Sequence, residues 1–66
     1  MGADFKERLF EELEQLQDRI DKLDTFVMGS KFRELEIEQQ DLLKEQLRAM
    51  NQYENILALR IELLND

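Results

Sequence analysis

Thr25-Phe26-Val27-Met28-Gly29-Ser30-Lys31-Phe32-Arg33 holds the one glycine in the interior of a 66-residue chain, and it separates two long runs of helix-forming residues. Gly29 offers the left-handed backbone that closes a helix at little steric cost, and Ser30 offers a side-chain oxygen to the free N–H groups of the next helical turn. The chain is therefore expected to reverse at 28–31, with Gly29 left-handed and Ser30 as a cap. The runs on either side become the arms of an antiparallel hairpin.

Upstream, apolar residues fall at Phe5, Leu9, Leu13, Leu16, Ile20, Leu23 and Val27, with steps of 4, 3, 4, 3, 4 from Leu9 onward. That is a heptad seam. Phe10 and Phe26 lie off it and widen the face at both ends. Asp4, with Glu7 three residues on, has the spacing of a capping box and reads as the N-cap. These signals predict a helix over about 4–28.

Downstream, Ser30 to Leu35 is expected to form a short turn of helix, about 30–35, with Phe32 and Leu35 folded back under the end of the hairpin. A second long helix follows over about 36–64, opened by Glu36, Glu38 and Asp41 at its positive end. This arm carries two seams side by side. One is Leu43, Leu47, Met50, Glu54, Leu57, Ile61 and Leu64; the other is Leu42, Gln46, Ala49, Tyr53, Ile56, Arg60 and Leu63. One partner helix needs only one seam, so two seams predict contact with helices on two sides: the first arm on one, another copy of the chain on the other. The fold class is all-α, a single helical-hairpin domain over 1–66 that assembles into a homo-oligomeric helical bundle.

Size supports assembly. A lone two-helix hairpin of this length buries too little apolar surface to offset a chain entropy of roughly 1–2 kcal/mol per ordered residue. With no cysteine, histidine or proline, the chain has neither a disulfide framework nor the usual zinc ligands, and no metal site or cofactor is expected. The absence of cysteine fits a reducing cytoplasm. The longest apolar runs are far short of the ~20 residues that span a bilayer, and no signal-peptide pattern opens the chain. A cytoplasmic, soluble protein is expected.

Net charge is −7, which disfavours duplex DNA, RNA polymers and anionic membranes as partners. The charge is unevenly placed. Residues 1–18 set Lys6 and Arg8 against six acids (−4), and residues 34–66 set Lys44, Arg48 and Arg60 against eight (−5). Residues 19–33 set Arg19, Lys22, Lys31 and Arg33 against Asp21 and Asp24 (+2). Cations suit a helix C-terminus through its dipole; a local basic pocket for a small anion is the other reading.

Gln46, Glu54 and Arg60 stand in the seams where apolar residues would pack better, and an unpaired buried charge there would cost several kcal/mol. Glu54 and Arg60 pairing to set register is one explanation. The other is a cavity between protomers lined by Gln46, Tyr53 and Arg60, with Tyr53 supplying an aromatic surface and Arg60 a bidentate phosphate donor. Catalysis finds little support. Ser30 has no base near it in sequence, the carboxylates spread as a solvated helix surface, and the Glu-x-x-His of di-metal bundles cannot occur. Gly29-Ser30-Lys31 is only a fragment of a P-loop. No enzyme activity is expected.

The landmarks occur in a telling order: Arg19-Ile-Asp-Lys-Leu-Asp-Thr-Phe-Val27, Ser30-Lys-Phe-Arg-Glu-Leu35, then Gln46-x-x-x-Met50-x-x-Tyr53-x-x-Ile56-Leu57-x-x-Arg60-Ile61. Over roughly residues 5–64 this resembles a family of small bacteriophage proteins, the anti-CBASS cyclic-oligonucleotide sponges and their phage relatives. The resemblance implies an all-helical homo-oligomer, with a hexamer favoured. It would hold cyclic di- and trinucleotide immune signals intact in pockets between protomers, in the host bacterial cytoplasm, so that host effectors stay unactivated.

By that resemblance, an aromatic near the start of the first helix stacks on a base, which Phe5 or Phe10 supplies here without a tyrosine hydroxyl. Lys22 with Thr25, or Lys31 with Ser30, supplies the lysine and hydroxyl for phosphate and base edges, and Arg60 the arginine of the last helix. Tyr53 as a further stacking surface, Arg33 as a phosphate contact and Arg8 complete the candidate ligand-binding set. An ADP-ribose-derived immune signal fits these residues equally well. A module that binds no ligand and docks a partner protein's helix on the wide apolar face is the remaining alternative.

Overall fold

The computed structural model describes residues 2–64 of the expected 1–66 domain; residues 1, 65 and 66 lie outside the described residues. Helix α1 runs over Gly2–Val27, a single turn α2 over Ser30–Arg33, and α3 over Ile37–Leu64. No strand occurs among the described residues. The two long helices form the expected hairpin, a rod of 47 × 14 × 14 Å. Its length is that of α3, whose 28 residues rise about 42 Å at ~1.5 Å each.

Asp4 is not the N-cap. Alpha-helical backbone already begins at Gly2, and Asp4 sits in the first turn of α1. Ala3 has high helix propensity, and the Asp4 carboxylate favours the positive end of the dipole from inside the helix.

The turn also departs from the left-handed closure expected of it. The Met28 amide donates to the Thr25 carbonyl (3.3 Å) and the Gly29 amide to the Phe26 carbonyl (3.0 Å). These tighter bonds satisfy two terminal carbonyls of α1 without any left-handed residue. Gly29 then lies at φ −91°, ψ 170°, an extended conformation, and itself occupies the N-cap of α2. Ser30 is consequently the first residue of α2 rather than its cap, and no side chain caps this turn.

A second, small core lies under the turn. Phe32 is 3% exposed, its ring edge-on to Phe26 at 6.2 Å and 80°, with the Lys44 ammonium 5.8 Å from its centroid. Leu35 is half-buried beside it, so both residues fold back under the hairpin end as expected. The connection is held from α3: Gln40 Nε2 donates to the carbonyls of Leu35 (2.8 Å) and Arg33 (3.4 Å). The turn of helix ends at Arg33 because the Glu34 amide closes back on the Lys31 carbonyl (3.2 Å) and the Leu35 amide on the Phe32 carbonyl (3.1 Å), and the Gln40 amide bonding to the Glu36 carbonyl (3.0 Å) starts α3.

The main core is the meeting of two seams. Leu9, Leu16 and Ile20 of α1 pack with Leu57 and Ile61 of α3, flanked by Leu13, Leu47 and Met50. Leu57 is fully buried. Glu54, within the same seam, is half-buried. The other seam of α3, from Leu42 to Leu63, is exposed at all seven positions. One chain therefore covers one of the two seams and leaves the other open.

Candidate functional site

Across the hairpin, the Tyr53 hydroxyl donates to a carboxylate oxygen of Glu12. Each residue stands one position before a seam position of its helix, Leu13 and Glu54. In an antiparallel pair such rows flank the same side of the seam, and the Tyr53–Glu12 bond places them together. One face of the rod thus combines a stripe of α1 containing Arg8, Arg19 and Lys22 with the open seam of α3 containing Arg60. The acids in the two rows are Asp4, at the start of α1, and Glu12, whose carboxylate is engaged by Tyr53.

The cations differ in how free they are. Lys22 pairs with Asp18 at 3.0 Å, both largely exposed. Arg8, Arg19, Lys31, Arg33 and Arg60 make no ion pair among the described residues. In particular, Arg60 and Glu54 do not pair within the chain, so the register pairing considered from the sequence is not an intramolecular device. An exposed guanidinium without a carboxylate partner keeps its fork of donors available for phosphate.

The ten candidate residues fall into three places. Phe5, Arg8 and Phe10 lie near the start of α1, and Arg60 lies near the end of α3, which is the same end of the rod. Lys22, Thr25, Ser30, Lys31 and Arg33 lie at the turn end. Tyr53 stands between. All ten are exposed. Phe5 and Thr25, twenty residues apart on one helix, are separated by about 30 Å. No pocket is enclosed by the described residues of one chain, so a single protomer does not bring the set together.

Packing fixes how the turn-end groups are presented. Phe32, buried between its two neighbours Lys31 and Arg33, anchors α2 so that both basic side chains point to solvent. Gln40 locks the carbonyls that follow. Gln40 is not among the sequence-derived candidates, and Arg19 enters only through the net charge of 19–33 and the Arg19–Val27 landmark, not as a ligand-binding candidate. For Arg19 the signal was present: it precedes the seam residue Ile20 just as Glu12 precedes Leu13. Gln40 acts through loop carbonyls, which no side-chain pattern announces. No group of acidic residues among those described is arranged to hold a metal ion, and no described helix is long and apolar enough to cross a membrane.

Comparison with curated proteins and with solved structures gives no match. A family model described as Sequestin matches residues 3–63, which takes in both long helices and the turn between them. The chain belongs to the Sequestin family.

Proposed function

We propose that this protein binds and sequesters a nucleotide immune signal without cleaving it, and that in a phage-infected bacterium it keeps anti-phage effectors unactivated. The observation that carries this reading is the set of exposed cations without an ion pair among the described residues, on a chain of net charge −7, with exposed Phe5 and Phe10 at the same end of the rod as Arg8 and Arg60. Guanidinium and ammonium groups supply charge-assisted bonds to phosphate, and a phenylalanine ring supplies a face on which a base stacks. The family name, Sequestin, is consistent with retention of a ligand.

The two ends of the rod are too far apart to serve one small ligand within a protomer. A homo-oligomer, as the resemblance to the sponge family implies, brings the Phe5–Arg8–Arg60 end of one copy toward the Lys22–Arg33 end of another. The pocket then lies between protomers, and closure around the ligand excludes water from it. Retention is all the function requires. A chain without histidine or cysteine, whose carboxylates are spread over helix surfaces, supports binding and not hydrolysis.

Cyclic di- and trinucleotides are the preferred class, and ADP-ribose-derived cyclic signals share their chemistry of purine base and paired phosphates. Native mass spectra of the protein with a panel of both classes test the reading. Retention of one intact nucleotide at a fixed ratio per closed oligomer is the expected result. An oligomer that retains none of the panel moves the function to docking of a partner helix.

A further inference from the structure

The single turn α2, with the residues that follow it, is held to α3 at two points. Gln40 Nε2 donates to the Leu35 carbonyl at 2.8 Å and reaches the Arg33 carbonyl at 3.4 Å. One helical turn further along α3, the Lys44 ammonium stands 5.8 Å from the centroid of the Phe32 ring, within reach of a cation–π contact. Residues four apart on a helix are neighbours, so both contacts leave α3 from one face. No backbone amide among the described residues donates to the Leu35 or Arg33 carbonyl; within the chain, Gln40 is the group that satisfies them. Little else restrains this strap. Gly29 enters it in extended conformation, no side chain caps it, and of the four residues of α2 Phe32 is the buried one. A short element with one buried side chain, on a hairpin whose own core lies elsewhere, is of the kind that opens without the rest.

We infer that Gln40 is a positioning residue: its side-chain amide latches α2 onto α3, and the latched strap holds the exposed Lys31 and Arg33, on either side of buried Phe32, as preset donors for an anion. The anion-binding role of those two cations rests on the proposed function; the latch itself does not. Gln40 acts through backbone and need not touch the ligand. The Arg33 carbonyl it reaches belongs to the residue that carries one of the two cations, and the Leu35 carbonyl fixes where the strap rejoins α3. Two long side chains on a loose turn would have to be ordered, together with their backbone, when the anion arrives, and that cost would come out of the affinity. A strap closed beforehand removes most of it. By linkage, an anion that binds the closed strap better than the open one also keeps it closed.

The test is residue-resolved amide hydrogen exchange of the full chain at fixed pH, with and without inorganic pyrophosphate. The reporters are the Glu34 and Leu35 amides, which close on the Lys31 and Phe32 carbonyls at 3.2 and 3.1 Å and are released when the strap opens. Gln40→Glu keeps the shape of the side chain and sets acceptor oxygens against the two carbonyls; Gln40→Met removes the donor without adding charge. In both variants exchange at Glu34 and Leu35 should rise by about fivefold, the loss of one hydrogen bond, while the amides of Leu9, Leu16 and Leu57 keep their natural rates. Unchanged exchange at the strap, or an equal rise across the main core, overturns the latch. Pyrophosphate should slow the same two amides in the natural protein, and Arg33→Gln should blunt that slowing. A strap indifferent to pyrophosphate, or slowed equally with Arg33→Gln, overturns the positioning role. Failure of the protein to retain any nucleotide in native mass spectra removes the sequestration reading and leaves the exchange results to decide the latch. Nucleotide retained with the strap amides unmoved overturns the inference and leaves sequestration standing.

Discussion

Tyr53 and Glu12, 41 positions apart in the chain, are joined by a hydrogen bond from the phenol to the carboxylate. The bond reaches from the open seam of α3 to α1. It orients one flank of the hairpin and engages one carboxylate oxygen of Glu12. It also gives Tyr53 a partner inside its own chain: the hydroxyl is engaged, while the ring stays exposed on the open seam.

Tyr53→Phe keeps the ring and removes the donor. A net contribution of about 0.5–1.5 kcal/mol is usual for such a bond, and exposure places this one toward the lower end. Urea unfolding should show that loss, and nucleotide affinity should be unchanged. Full stability with weakened affinity would instead mean that the hydroxyl leaves Glu12 for the ligand.

Gly29→Ala separates an extended turn from a left-handed one. At φ −91° an alanine is unstrained, and its Cβ would lie 3.4 Å from the Phe26 carbonyl oxygen and 3.8 Å from that of Thr25, ordinary contacts. Reduced freedom of the unfolded chain should then stabilise the protein by about 0.4–1 kcal/mol, a rise of a few degrees in melting temperature. A left-handed Gly29 would give the opposite sign.

The hairpin was legible because its signals are periodic. Leu9 to Val27 and Leu43 to Leu64 repeat with helical steps, and two adjacent seams on α3 announced an open face. What stayed hidden depends on single hydrogen bonds. Closure of α1 by the Met28 and Gly29 amides, and the lock from Gln40 onto the loop carbonyls, leave no pattern in the sequence. Ser30 after Gly29 suggested a cap because composition records which residues are present and not which N–H is already satisfied. The candidate set was readable as residue types, but its division between two ends of a rod follows from the helix rise only once both helix lengths are fixed.

Phe32 should be the most sensitive residue of the turn. It is buried in a core of its own with Phe26 and Lys44, so Phe32→Ala should cost about 3–5 kcal/mol. Phe32→Leu, which keeps most of the volume, should cost much less. Because Phe32 aims Lys31 and Arg33 outward, amide hydrogen exchange in Phe32→Ala should rise first at the turn, ahead of the Leu9–Leu57 core. Uniform exchange across the chain would mean that the turn and the main core unfold as one unit.

Adjacent residues on α3 test whether the open seam is covered by a second copy. Leu57 is fully buried within the chain, so Leu57→Ala should cost about 2–5 kcal/mol in any assembly state. Ile56 beside it is 49% exposed in the single chain, and Ile56→Asp would be close to neutral if that exposure persisted in solution. Covered by a partner, the same aspartate would be desolvated among apolar side chains at a cost that a pair with Arg60, four residues on in the same seam, does not repay, and the oligomer should dissociate. Light scattering after size exclusion reads the mass, and circular dichroism reads the helix that remains. Dissociation by Ile56→Asp would mark the exposed seam as the interface. An intact oligomer of unchanged mass would mean that it docks elsewhere, and the open seam would then be free for a different partner.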